Sequence, residues 1–294
     1  MGASFLLAAV ISLAAPQAGQ GSAAATAETP TRPPAVALTP VPPDAEIEKF
    51  LREAKITGTK GTKKGVTGSL RATLSDGTLT HDAQIQTIEE SKREFRSERG
   101  IEFDFRDSWT FNVAAYKIDR LIGLNMVPVS VSRTHRSTPA AFTWWVDDYL
   151  MDEQDRTKNK VEAPDRGYYS RQRAMMHVFD ELIGNVDRNM GNILYLKDWR
   201  LVLIDHTRAF RKYSTLKVPA QVTRCDRQVY EAMKKLDRET LKRDVGKQLD
   251  DGQIKSLLAR RDAIVKKLDS LAPSSLFDRV APAITTATAG ASSR

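Results

Sequence analysis

The chain has 294 residues, of which 41% are apolar and 28% are charged, as is typical of a soluble globular protein with one large or two small domains. Its 45 Lys and Arg are scattered among 37 Asp and Glu, so the net charge of +8 indicates a solvated surface. No nucleic-acid-binding module accompanies the charge, and we expect no nucleic-acid partner. The single cysteine, Cys225, excludes an internal disulfide.

The first 45 residues predict two segments outside the folded unit. Residues 1–23 contain an apolar run at 5–15 that is too short to span a bilayer and is followed by small residues, as in an export signal. If the signal is genuine, the protein is periplasmic or secreted, and otherwise it is cytoplasmic. We expect no integral membrane span after its removal. Residues 24–45 are rich in Pro, Ala and Thr and predict a linker.

A short amphipathic helix is predicted at 46–56, followed by a loop rich in glycine and lysine at 58–68. Glycines allow backbone N–H groups to come close to phosphates, and lysines neutralise phosphate charge. The loop lacks the Walker pattern, and a plain flexible loop is the alternative interpretation. The residues that would contact phosphates in it are Gly58, Gly61, Lys63 and Gly65.

The following segment predicts a small antiparallel sheet with one helix. Alternating apolar and polar residues indicate strands at 69–74, 83–88, 127–131 and 140–146, and helical spacing indicates a helix at 108–122. Residues 147–151 would form a hinge to a second, mostly helical part. That part includes a helix at 257–268, and the small residues of 281–294 predict a disordered tail.

The most specific pattern lies in the second part. A helix predicted at 173–183 ends before Asp187, and Asn192 follows five residues later. Two short buried strands, at 193–196 and 200–204, then lead to Asp205. A hairpin of this length brings Asp205 back beside Asn192. The sequence therefore predicts a cluster of one amide and two carboxylates.

Phosphoryl transfer needs such a cluster. One carboxylate orients or deprotonates the acceptor hydroxyl, while further oxygen ligands hold a divalent cation against the nucleotide phosphates. Asp and Asn are also common in ordinary turns, which is the alternative explanation of any one of these residues. The second Asp at hairpin distance and the preceding helix favour the functional interpretation.

Two segments resemble the catalytic core of atypical kinases: GNVDRNMGNILYL, and LVLIDHTRAF further on. This core is shared by phosphoinositide 3/4-kinases, HipA-type bacterial kinases and the four-jointed/Golgi casein kinase group. Residues 113–128 are similar to the helix and strand before the hinge in the last two groups. The position after Asp-Arg, usually His, is Asn189 here, and Thr207 replaces the Gly common in the metal-binding segment.

The resemblance implies an α+β, two-lobed protein-kinase-like fold, with a small antiparallel-sheet N-lobe at 46–149 and a mostly helical C-lobe at 150–280. It also implies a phosphotransferase that uses ATP with Mg or Mn. Asp187 would be the catalytic residue, and Asn192 and Asp205 the metal ligands. The acceptor would be a hydroxyl of a protein or a glycan.

One part of the kinase pattern is missing. Kinases grip the nucleotide phosphates with a strand Lys that pairs with a helix Glu, and the matching positions here are Gln86 and Asn112. Lys92, or a lysine of the glycine-rich loop, could supply the cation instead, and Glu89, Glu90 or Glu102 could replace the acid. Three possibilities follow: an active kinase with a relocated Lys, a nucleotide-binding pseudokinase or scaffold, or a nucleotidyl (AMP) transferase.

Overall fold

The computed structural model describes residues 37–61, 69–97 and 100–279. The helices within these ranges are α1 (Asp44–Glu53), α2 (Thr110–Leu121), α3 (Glu153–Lys158), α4 (Arg166–Ile183), α5 (Arg227–Lys235), α6 (Arg238–Val245) and α7 (Asp251–Asp269). The strands are β1 (Lys55–Gly61), β2 (Leu70–Ser75), β3 (Thr80–Gln86), β4 (Glu89–Ser97), β5 (Gly100–Ser108), β6 (Ser130–His135), β7 (Thr138–Trp144), β8 (Tyr149–Asp152), β9 (Ile193–Leu196), β10 (Leu201–Leu203), β11 (Cys225–Asp226) and β12 (Leu276–Phe277).

The N-lobe is an antiparallel sheet with strand order β1-β2-β3-β7-β6, and α1 and α2 pack against it. Alternate residues of β2 and β3 point into the core, where Leu74 and Ile85 are buried. The same alternation turns Gln84 and Gln86 to the opposite face of β3. The predicted strands and α2 are present at or near their expected positions.

The β4–β5 hairpin was not predicted. Its two strands pair antiparallel along most of their length and form a two-stranded sheet of their own. Most side chains of β4 are exposed, so its sequence lacks the alternation of apolar and polar residues that marks a half-buried strand. Burial increases toward the end of β5, where Phe105, Asp107 and Ser108 are buried.

The C-lobe combines a small sheet of order β10-β9-β8 with a helical core in which α4 packs against α7. The predicted hinge at 147–151 leads into β8, which pairs with β9. The predicted α+β class, with an antiparallel sheet first and helices after it, is confirmed. No helix in the described ranges has the length and apolar character needed to cross a membrane.

The predicted phosphate loop requires a correction. Gly58 and Gly61 belong to strand β1 and pair with β2, so the chain is already extended where a loop was expected. Lys63 and Gly65 lie outside the described residues, as do the predicted export signal, most of the linker and the predicted tail. Strand β1 therefore extends to Gly61, into the range that was predicted as a loop.

A buried carboxylate fixes the chain between α2 and β6. Asp119 is fully buried and accepts hydrogen bonds from the backbone N–H groups of Met126 (2.8 Å) and Val127 (3.1 Å). It also pairs with Arg120, which reaches Asp44 of α1 at 2.6 Å. Burial raises the pKa of Asp119 to about 6, against the opposing effect of Arg120. This carboxylate thus connects both helices of the N-lobe to the sheet.

We expect Asp119→Ala to lower the free energy of unfolding by about 3 kcal/mol, because two buried N–H groups and Arg120 lose their acceptor. Asp119→Asn is the matched control: its amide oxygen can still accept from the backbone, so the loss should be smaller. Urea denaturation followed by circular dichroism measures both. Equal stability of wild type and Asp119→Ala would contradict the assigned role.

Candidate functional site

The predicted catalytic loop, which carries Asp187 and Asn192, begins where α4 ends. Gly184 terminates the helix in the left-handed conformation with φ of 60°, and a Cβ there would lie 2.8 Å from Cζ of Arg260. Arg260 is fully buried and donates to the carbonyls of Leu182 (3.1 Å) and Arg211 (2.8 Å). The same guanidinium therefore joins the end of α4 to the segment that follows the predicted metal-binding residue. Only glycine fits this turn without strain.

Arg188 joins the catalytic loop to the β9–β10 hairpin. Its side chain is 10% exposed and forms an ion pair with Asp180 of α4 at 2.8 Å. One of its terminal nitrogens, Nη1, donates to the carbonyls of Asn192 (3.2 Å) and Ile204 (2.8 Å). The backbone of Ile204 also donates to Asn192 at 3.1 Å. The structure thus brings Asn192 next to the residue that precedes Asp205, as the predicted hairpin geometry requires.

Asp205 lies directly after this contact in a strained backbone conformation, with φ of 53°. The hydroxyl of Thr207 donates to its Oδ1 at 3.0 Å. Burial raises the pKa of Asp205, and the nearby charge of Asp107 adds to this effect, while Thr207 and Arg188 oppose it. A carboxylate in such surroundings is stabilised in its charged form by a cation.

Asp187 lies on the solvent side of the site, with 25% of its side chain exposed. Its Oδ2 is 3.9 Å from Nη1 of Arg208, and its backbone N–H donates to the side chain of Asn185 at 3.2 Å. It lines a cavity of about 810 Å³ between the β4–β5 hairpin and residues 208–217. An exposed carboxylate at the edge of a large cavity is accessible to an acceptor molecule.

Gln86 and Asn112, which occupy the expected Lys and Glu positions, contact each other. Both are buried, and Nδ2 of Asn112 donates to Oε1 of Gln86 at 3.1 Å. Oδ1 of Asn112 accepts the backbone N–H of His206 at 2.7 Å. A neutral amide pair therefore occupies the position of the usual ion pair, and it holds the residue next to Asp205.

Lys92 lies elsewhere, on strand β4, where it lines the cavity that contains Asp187. Its ammonium group is 3.0 Å from Glu90 and stacks over the rings of Phe95 and Phe105. The structure thus places Lys92 on the hairpin side of Asp187 and Gln86 on the α2 side of the site. Gly58 and Gly61 are in β1 of the N-lobe sheet.

Sequence reasoning did not identify the role of the β4–β5 hairpin. Glu102 on this hairpin forms ion pairs with Arg208 and Arg211, the latter at 2.5 Å, and both guanidinium groups stack on Phe105. The hairpin thus covers the segment after Asp205. The sequence offers Glu102 only as one of three possible acids and does not indicate its arginine partners, because Arg208 lies more than one hundred residues away in the chain.

The cavity beside Asp187 is strongly basic. Seven Lys or Arg side chains line it, against three Asp or Glu, and Arg106, Arg208 and Lys217 are among them. A second, much smaller cavity of about 10 Å³ lies between the lobes and is lined in part by Asn112, Thr143 and Asp205. Of these two cavities, the basic cavity beside Asp187 has much the larger volume.

The side chains of Asp205 and Asn192 carry the donor types of a hard divalent cation site, because carboxylate and amide oxygens are the ligands that Mg²⁺ and Mn²⁺ prefer. Asp205 and Asn192 are the predicted ligands. Within the described part of the chain, no group of three or more His, Cys, Asp and Glu side chains is arranged to hold a metal. A cation here would therefore depend on Asn192 and on further oxygen donors.

Comparison with known proteins identifies the family and the fold of the chain. The family model for phosphatidylinositol 3- and 4-kinase matches residues 79–249. A structure of hydra Fam20 with sugar superimposes with a TM-score of 0.57 and 15% identity over 76% of this chain and 88% of that chain. The Golgi casein kinase with Mn/ADP bound gives 0.55 and 12%, over 76% and 75%. These identities establish the fold alone, and no curated protein sequence matches the chain.

Proposed function

Because the chain belongs to the phosphatidylinositol 3- and 4-kinase family, whose model matches residues 79–249, we propose that it is a metal- and ATP-dependent phosphotransferase acting on a protein or glycan hydroxyl. The kinase-like fold and the family match support a phosphotransferase-type function. The observation that carries the finer proposal is the Arg188 bridge, which holds the backbones of Asn192 and Ile204 together and so sets Asp205 beside the catalytic loop.

Each residue then has a role. Asp187, at the edge of the basic cavity, orients the acceptor hydroxyl and accepts its proton. Asn192 and Asp205 would hold the cation, which would supply positive charge to neutralise the transferred phosphoryl group. Arg188 does not reach the reacting groups and instead fixes the relative positions of the two backbones. The role of Lys92 is to place positive charge beside Asp187.

The basic cavity supports an acceptor that carries negative charge close to its hydroxyl. Seven cationic side chains near Asp187 attract acidic groups and raise their local concentration. A protein acceptor would then be modified at Ser or Thr near acidic residues. This preference should weaken as salt is added, because exposed charges are screened.

A second candidate function rests on the neutral Gln86–Asn112 pair. Without the strand lysine, the site has one cation fewer for the nucleotide phosphates, which favours either a pseudokinase that only binds nucleotide or an enzyme that transfers AMP. Export of the protein, if it occurs, would place it where ATP is scarce.

One experiment separates these functions. The full chain is incubated with Mn²⁺ or Mg²⁺ and ATP labelled at either the alpha or the gamma phosphate, together with acidic and neutral acceptor peptides, and thermal stability is followed in parallel. We expect a metal-dependent rise in Tm and transfer of the gamma label. Transfer of the alpha label would indicate AMP transfer, and binding without transfer would indicate a pseudokinase. The absence of any shift with either metal would contradict all three.

A further inference from the structure

Asp107, near the end of strand β5, is a buried carboxylate with an unsatisfied oxygen. Its exposure is 7%, and its Oδ1 has no hydrogen-bond partner among the described residues. Leaving a charged oxygen buried and unpaired is costly, so proteins normally supply a donor, a counter-charge or a metal ion. Neither the sequence pattern nor the comparisons draw attention to this residue.

The backbone of β5 brings Asp107 to the segment that contains Asp205. The next residue, Ser108, donates its backbone N–H to the carbonyl of Thr207 at 2.9 Å. The Thr207 side chain hydrogen-bonds to Asp107 and also donates to Oδ1 of Asp205 at 3.0 Å. A single hydroxyl thus lies between two carboxylates, and its one proton can serve only one of them at a time.

The nearby arginines do not fully compensate for these charges. Arg208 and Arg211 attract Asp107 electrostatically, but their close ion pairs are with Glu102 on the same hairpin, and Arg208 also contacts Asp187. A buried and a partly buried carboxylate that repel each other across one hydroxyl form a site to which a divalent cation is the matching ligand.

We propose that Asp107 is a further carboxylate ligand of the divalent cation in this site, acting with Asp205. The proposal rests on the proposed function, because it assumes that metal binds at Asp205. It assigns the β4–β5 hairpin a direct part in cofactor binding. A site with Asp107, Asp205 and Asn192 has three protein oxygen donors, which come from β5, the segment after β10 and the catalytic loop.

The test compares Asp107→Asn with the matched control Asp104→Asn in the full chain. Asp104 lies on the same hairpin and lines the same cavity but is exposed, and asparagine tolerates its left-handed backbone (φ 52°). Titration calorimetry with Mn²⁺ in the presence of ADP should show at least about a tenfold weaker Kd for Asp107→Asn and an unchanged Kd for Asp104→Asn. Without metal, Asp107→Asn should raise Tm, because it removes a buried charge that repels Asp205.

The outcomes separate this proposal from the proposed function. If the wild type does not bind Mn²⁺ with ADP, the proposed function fails as well. If the wild type binds and Asp107→Asn binds equally well, Asp107 is not a ligand, and only the present inference is overturned. A fall in Tm without metal, together with unchanged Mn²⁺ affinity, would assign Asp107 a purely structural role.

Discussion

Replacing Asp187 or Asp205 by Asn should slow phosphoryl transfer strongly, for two different reasons. Asp187→Asn removes the group that accepts the acceptor proton and should lower kcat about 10²- to 10⁴-fold. It should leave metal and nucleotide affinity nearly unchanged, because Asp187 lies on the side of the basic cavity.

Asp205→Asn removes a charge from the proposed cation site. It should lower kcat at least about 10³-fold and should also remove the metal-dependent rise in Tm.

Asn has nearly the same shape as Asp, so we expect both variants to fold. A loss of activity can then be assigned to the missing carboxylate. The measurements are gamma-phosphate transfer and thermal stability with Mn²⁺ and nucleotide. Asp198→Asn, on the turn between β9 and β10, serves as a control that removes a nearby carboxylate outside the site. If Asp187→Asn retained wild-type turnover, the catalytic role assigned to it would be wrong. If Asp205→Asn retained the metal-dependent shift, the cation would have to bind elsewhere.

The second large effect concerns the buried amide pair. Asn112→Glu alone places a charge beside Gln86 in a buried position and should lower the free energy of unfolding by about 3 kcal/mol. Gln86→Lys alone should be destabilising for the same reason. The double variant forms an ion pair between the two introduced groups, so its loss should be smaller than the sum of the single losses by about 2 kcal/mol.

The double variant also tests the activity of the site. A lysine at position 86 would add the cation that kinases direct at the nucleotide phosphates, and we expect faster gamma-phosphate transfer than in either single variant. Denaturant unfolding measures the coupling, and initial rates at saturating Mn²⁺ measure the gain. Additive losses of stability would show that the two positions do not pair as the structure indicates.

The part of the site that could be predicted from sequence is local in the chain. Asp187, Asn192 and Asp205 lie within one loop and one hairpin, so their spacing alone indicated their proximity. Gln86 and Asn112 were identified by comparison with the kinase pattern, and their contact is observed at 3.1 Å. The strands and helices followed from the periodicity of apolar residues, and the α+β, two-lobed class from the resemblance to atypical kinases.

The part that could not be predicted depends on distant contacts. The β4–β5 hairpin has few buried residues in its first strand, so periodicity did not reveal it. Glu102 and Asp107 acquire their significance only where β5 meets residues 207–211, about one hundred positions later. Gly58 was placed in a loop because glycine is common in turns, whereas pairing with β2 keeps it in a strand.

The attachment of the predicted metal-binding segment, residues 205–207, to the N-lobe has a consequence for inhibitor design. The backbone N–H of His206 binds Asn112 of α2, and the carbonyl of Thr207 binds Ser108 at the end of β5. His206 and Thr207 directly follow Asp205 in the chain. A displacement of α2 would therefore also displace this segment, through the hydrogen bond between Asn112 and His206. A compound that pushes α2 outward should therefore compete with Mn²⁺ without touching any of its ligands, and its potency should fall as the metal concentration rises.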